Sequence, residues 1–158
     1  MTKNQNKLQL TITGIFTLLA LVILVDLALP GKVEMNEIVS INKSREDYNN
    51  AAGNFHYSYQ IETTKHTFPV KEAFTNLVKP QDFVAYSVSR IFQEVNWYKV
   101  PRIGDEHTYS LRIVSGLVLP LLALLVFFIR YRFNIKMSTL VFVLQVLLIA
   151  DLVFLLIY

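Results

Sequence analysis

The chain has no cysteine among its 158 residues. That excludes disulfides, thiolate metal sites, redox pairs and lipidation through cysteine. An exported domain without disulfides is common in bacteria. Glycine is scarce too, at five residues, and no glycine-rich stretch could cradle a phosphate. The three histidines, His56, His66 and His107, are too few and too scattered to predict a metal site. Serine, histidine and aspartate occur without a nucleophile elbow or a base at a meaningful offset. No catalytic grouping, metal or cofactor is therefore expected, and the reading is of a chain that is not an enzyme.

Charge is thin as well, at 17% of residues against 53% hydrophobic, and three apolar runs account for the balance. Leu8 to Val25 carries no charge and continues past Asp26 to Leu29; Ile113 to Ile129 carries none; Met137 to Ala150 carries none before Asp151. A helix needs roughly 20 apolar residues to cross about 30 Å of hydrocarbon, so each run reads as a span. Three buried core helices would instead need a soluble core far larger than the rest of the chain could enclose. A basic start, Lys3 and Lys7, gives the first run some likeness to a signal peptide. Its apolar stretch exceeds an h-region of about 7–15 residues, and no small-residue cleavage site follows, so an uncleaved anchor is expected.

Basic residues near the spans set the orientation. Lys3 and Lys7 precede the first span, and Arg130, Arg132 and Lys136 lie in the link RYRFNIK between the second and third. Both regions then face the cytoplasm. The division expected is 1–7 cytoplasmic, 8–29 first span, 30–110 extracytoplasmic, 111–130 second span, 131–137 cytoplasmic and 138–158 third span, with the C-terminus outside. Residues 31–110 hold nine Lys/Arg and ten Asp/Glu, so the net charge of +3 comes from membrane-flanking basics. That is a topology signal, and no nucleic-acid partner is implied.

The intervening region reads as β-rich. Val33, Met35, Val39 and Ile41 share one parity, while residues 44–54 read as a polar loop. Phe55, Tyr57, Tyr59 and Ile61 alternate with polar residues. A turn at Thr63-Thr64 would pair Ile61 with His66, Tyr59 with Phe68 and Tyr57 with Val70, although Thr-Thr suits a tight turn poorly. Pro69 marks an edge strand. KEAFTNLV suggests a short helix, Lys79 to Asp82 a turn, and FVAYSVS and VNWYKV two further strands. The fold expected is three transmembrane helices plus a small domain of about five strands and one short helix, an open barrel or sandwich.

This order of elements, with the stretch LVKPQDFVAYSVSRIF, resembles a group of small bacterial membrane proteins that carry a β-rich domain between transmembrane helices. That group has a Gly-Asp turn and then a Ser-Pro step, where this chain has Gln81-Asp82 and Ser89-Arg90. The resemblance implies architecture and no activity.

Two acids lie within the apolar runs. If Tyr158 marks the outer surface, Asp151 lies about 10 Å below it and Asp26 about 6 Å below the same level, at 1.5 Å per residue. A bare charge deep in a bilayer costs about 2.5–3.5 kcal/mol on insertion scales. Arg112 opens the second span at that level, so a cluster is expected in which Arg112 pairs with Asp26, Asp151 or both. Two rival readings give Asp151 a basic partner in another membrane protein, or make it, with Gln145, part of an ion or proton path. Residues 145 and 151 are about 120° apart round a helix, which argues against one continuous track. Thr13, Thr17 and Ala20 form a small-residue stripe suited to close helix contact, and Asp26 projects away from it, so the first helix should have more than one neighbour. Pro120 frees the carbonyl of Gly116 and should bend the second span. Trp97, Tyr98 and Tyr109 lie near the second span and suit outer headgroups.

These features favour a non-enzymatic accessory or assembly subunit in a bacterial inner membrane. Its partners would be the lipid bilayer and a larger membrane protein or further copies of itself. The alternative is an oligomeric transport or ion-conducting subunit that uses Asp151.

Overall fold

The computed structural model of the chain describes residues 3–47, 55–133 and 137–157. Helix α1 is Lys3–Ala28, followed by strands β1 (Lys32–Asp47), β2 (Phe55–Thr63) and β3 (Thr67–Val70) and a one-turn helix α2 (Glu72–Thr75). Strands β4 (Phe83–Val88) and β5 (Val95–Lys99) come next. The second long helix consists of α3 (Ser110–Ile113), a π-helical turn at Val114–Val118 and α4 (Leu119–Phe133), and α5 is Ser138–Ile157. Lys7–Ala28, Ser110–Phe133 and Ser138–Ile157 are each long and apolar enough to cross a bilayer. The chain is thus a three-span membrane protein with a β-rich domain between its first and second spans, as its apolar runs imply. It divides into two compact units: Met1–Pro30, Arg90–Phe92 and Leu111–Tyr158 form a helical unit, and Gly31–Ser89 and Gln93–Ser110 form a β unit.

The β unit is one curled antiparallel sheet of five strands in the order β3-β2-β1-β4-β5. Its long β1 pairs with β4 through its first half and with β2 through its second. Curling brings Phe68 of β3 to Tyr86 of β4 and Tyr98 of β5, with ring centroids 5.0 and 5.8 Å apart. Phe74 of α2 closes the same side, 4.6 Å from Tyr98. The buried core contains Ile38, Ile61, Phe68, Val70, Phe74, Val84, Tyr86, Val88 and Tyr98. Aromatic pairs of this geometry add about 0.5–1.5 kcal/mol each beyond their buried area, which matters in so small a domain. Gly31 directly precedes β1, where a Cβ would stand 2.5 Å from the Val88 carbonyl oxygen.

Three local expectations change. Ser44–Asp47 belong to β1, pairing with residues 55–58 of β2; residues 48–54 of the expected loop lie outside the described residues. The polar end of β1 is held to β2 by cations over rings, Lys43 at 3.8 Å from the Tyr57 centroid and Arg45 at 4.1 Å from that of Phe55. In the β2–β3 hairpin, Ile61 faces Phe68 and Tyr59 faces Val70, two residues from the expected register. Thr63 closes a wider loop, its N–H donating to the His66 carbonyl at 2.8 Å and its Oγ1 accepting from the His66 N–H at 3.0 Å. A slip of two preserves every side chain's face. Lastly, β1 has an irregularity between Ile38 and Ser40. Ile38 and Ile41 therefore join the core, while Val33, Met35 and Val39 stay exposed.

Where β1, β2 and β4 meet, the Tyr86 hydroxyl accepts from Asn36 Nδ2 at 2.7 Å and lies 3.0 Å from His66 Nδ1. Glu34 beside it bonds Lys32 at 2.7 Å and lies 3.5 Å from the Lys65 ammonium. The Lys32 bond, against the opposing effect of burial, holds the Glu34 carboxyl down to about 2.

In the helical unit one seam of each helix is buried: Ala20 and Ile23 of α1, Ala123, Val126 and Phe127 of α4, and Val141, Leu144, Leu148 and Leu155 of α5. With buried Asp151 between Leu148 and Leu155, the α5 positions recur every three or four residues, the spacing of a bundle-facing stripe. The π turn lies directly before Pro120, and within it the Leu119 N–H bonds the Val114 carbonyl five residues back. Proline has no N–H to give the Gly116 carbonyl and its ring crowds that oxygen, so a wider turn relieves the strain.

A carboxyl whose folded value lies below its ordinary 4.5 contributes stability above that pH and loses it as the pH falls towards the folded value. The β unit should accordingly lose stability between about pH 4.5 and about pH 2. Glu34→Gln should remove part of that acid dependence. Denaturant melts followed by fluorescence of Trp97, the sole tryptophan, would measure both.

Candidate functional site

Asp26 is placed by α1 two residues before the helix ends, on the same inward side as Ile23 and Ala20. Arg112 is placed by α3 two residues after the second helix begins. Both are buried, and Arg112 Nη2 donates to Asp26 Oδ2 at 3.0 Å. Gly116, one turn further on, permits this approach: a Cβ there would meet the Leu27 side chain at 3.1 Å and the Arg112 guanidinium at 3.4 Å.

The other carboxylate oxygen is taken by backbone. Asp26 Oδ1 accepts from the Ile91 N–H at 2.8 Å and from the Phe92 N–H at 3.4 Å. Arg90 Nε donates to the Pro30 carbonyl at 3.1 Å, fixing the same segment to the end of α1. Residues 90–92 thus form a three-residue excursion from the β strands into the helical unit. The chain turns back at Gln93 with φ 62°, a left-handed conformation uncommon outside glycine. Asp26 is therefore neutralised by a guanidinium and solvated by two amides, which is what a carboxylate removed from water requires.

Asp151 is different. It lies in the buried seam of α5 between Leu148 and Leu155, 7% exposed. Its Oδ2 has no hydrogen-bond partner among the described residues. Gln145 is half-buried and lies off the seam.

The small-residue stripe is less uniform than its composition suggests. Ala20 is buried, while Thr13 and Thr17 are half-buried, with Thr17 Oγ1 donating to its own helix at the Thr13 carbonyl, 2.9 Å away. α1 packs against α4, the π turn and α5, so Asp26 and Ala20 are covered by more than one neighbour. Pro120 and Gly116 are buried in the second helix. No cluster of three or more His, Cys, Asp or Glu side chains suited to a metal occurs among the described residues.

Sequence reasoning did not find residues 90–92. Their contribution is through backbone N–H groups, which leave no side-chain signature. The only local signal was negative: the alternation of FVAYSVS stops at Ser89 without a turn residue to explain it.

Comparisons with known protein families, curated proteins and solved structures return no match to this chain. What the fold itself defines is a multi-span membrane helix bundle with an inserted β-rich domain and a buried Asp26–Arg112 ion pair, an arrangement consistent with a membrane protein subunit.

The amides of Ile91 and Phe92 make the Asp26 position one that needs an acceptor. Asp26→Asn should destabilise the protein by about 3–5 kcal/mol by stranding the buried guanidinium. Adding Arg112→Gln should recover much of that loss. The reversal Asp26→Arg with Arg112→Asp should not recover it, because a donor would then face the two amides. Thermal melts in mild detergent distinguish the three outcomes.

Proposed function

We propose that this chain is an oligomeric transport or ion-conducting subunit of a bacterial inner membrane, with Asp151 as its intramembrane site. The β-rich domain would lie outside the cytoplasm and the N-terminus inside, as the basic flanks suggest. Its kinship with small bacterial membrane proteins of the same element order belongs to this proposal. The reading rests on the contrast between the two acids. Asp26 has an ion pair and two amide donors, whereas Asp151 is buried with an oxygen that lacks a partner among the described residues. An ionisable group kept at such a cost inside a bundle is a functional site by default. Because Asp151 faces its own bundle, it is poorly placed to pair with a basic residue of a separate protein.

The ion most compatible with this setting is the proton. A metal cation would need several oxygen ligands, and the neighbouring Arg112 would repel it. A single carboxyl can bind and release a proton with no further ligand.

One observation favours a second reading, a non-enzymatic accessory or assembly subunit. The seam neighbours of Asp151 are leucines and Gln145 is off the seam, so one copy contains no continuous polar track along α5. Transport therefore requires other copies to complete the path, and an accessory subunit requires no path at all.

Purified protein in liposomes under a pH gradient should collapse that gradient faster than empty liposomes. Asp151→Asn should return the rate to that of empty liposomes while leaving the melting temperature unchanged or raised. Wild-type protein with no flux, recovered from membranes with a larger partner, would support the accessory reading instead.

A further inference from the structure

The sheet of the β unit has one face on its core and one face outward, and the outward face is not polar. Cross-strand register aligns Val33, Ser87 and Trp97 in one row, Met35, Ala85 and Lys99 in the next, and Glu37 with Phe83 in a third. Val33 is 61% exposed, Met35 58% and Phe83 55%, with Val39 beyond them at 53%, while the small Ser87 and Ala85 in the middle of the first two rows are covered, at 2% and 5%. An antiparallel sheet with one solvated face normally alternates apolar-in and polar-out. Here β1 carries Glu34 and Asn36 on its core parity and Val33 and Met35 on its outward parity, the reverse of what solvation alone would select.

We infer that this outward face is a membrane-docking surface, seated in the headgroup layer of the bilayer that the three helices cross. Three features choose lipid over a protein partner. Val33 and Met35 follow Pro30, just beyond the end of α1, by three and five residues, so at about 3.3 Å per residue the chain can carry them only about 10 and 17 Å from it. The headgroup layer itself occupies roughly 5–8 Å on each side of the hydrocarbon. Secondly, the row that contains Val33 also contains the only tryptophan, half-buried, with the Lys99 ammonium 4.9 Å from its ring centroid. An indole beside a long-stemmed ammonium is the pairing that membrane interfaces select. Lastly, the face offers little to a polar or charged partner. Lys99 is already bonded to Glu106 at 2.9 Å, and Glu37 offsets any further positive charge, so contact rests on the aliphatic and aromatic groups and not on anionic lipid.

The chain suits the test because it has one tryptophan and no cysteine. The full-length protein is reconstituted into vesicles of phosphatidylcholine brominated either near the top or near the end of the acyl chains. Shallow bromines should quench Trp97 at least about twofold more than deep ones, equally with and without anionic lipid. A polarity-sensitive label on Phe83→Cys should be quenched by shallow bromines as well. The same label on Ala73→Cys, on the exposed side of α2 across the core from this face, should report water. Trp97 untouched by either bromine position would overturn the inference. So would quenching at Trp97 with a Phe83→Cys label as wet as that on Ala73→Cys, since the face would then not be seated. A label shielded from water but unquenched by brominated lipid would also overturn it, in favour of a protein surface or a second copy.

Discussion

A carboxylate two residues inside the end of an apolar helix has to be neutralised and hydrogen-bonded, or the helix cannot hold it in hydrocarbon. At Asp26 both needs are met together, by the Arg112 guanidinium and by the amides of Ile91 and Phe92. The consequences spread outward from there. Arg112 is drawn into the bundle, Gly116 leaves room beside it and Leu27, and the connection after β4 is committed to the helical unit for three residues. A buried ion pair contributes little net stability against an apolar replacement, but losing one partner costs several kcal/mol. Its role is to specify one arrangement of α1 and the second helix.

The two membrane acids show how much environment decides chemistry. They are the same residue type, each close to one end of a span, yet Asp26 has a guanidinium and two amides while Asp151 Oδ2 has no hydrogen-bond partner among the described residues. A satisfied group is structural. Under the function proposed for Asp151, a proton or a further copy would complete the other. The reversed polarity of β1 fits the membrane docking inferred above, because a sheet face seated on lipid would have no reason to be polar.

Much of the architecture was legible. Three uninterrupted apolar runs became three long helices, and the alternation of Phe55 to Ile61, the Pro69 edge and the Val84–Tyr86–Val88 face became strands in a five-stranded sheet. Periodicity could not say which face of β1 points inward, because an irregularity near Ile38 swaps the parity along the strand. It also missed the hairpin register by two residues, since a two-residue slip leaves the pattern of faces unchanged. The Asp26–Arg112 pair could be anticipated from depth and charge. Its other half could not: amides of Ile91 and Phe92 are invisible to any reading of side chains, and they come from a segment far along the chain. The π turn was legible only as a disturbance at Pro120, because proline announces a missing donor without saying how the backbone will respond.

The most direct test of the account is a distance measured in lipid. Solid-state NMR on protein labelled at the Asp26 carboxyl carbon and at arginine and isoleucine nitrogens would report whether the clasp exists in a bilayer. With Nη2 to Oδ2 at 3.0 Å and the Ile91 nitrogen to Oδ1 at 2.8 Å, the carboxyl carbon should couple to both nitrogens at about 4 Å or less. Coupling to neither, with Arg112→Lys leaving the Asp26 signal unmoved, would show that the carboxylate is neutralised in some other way and that the clasp does not organise the protein.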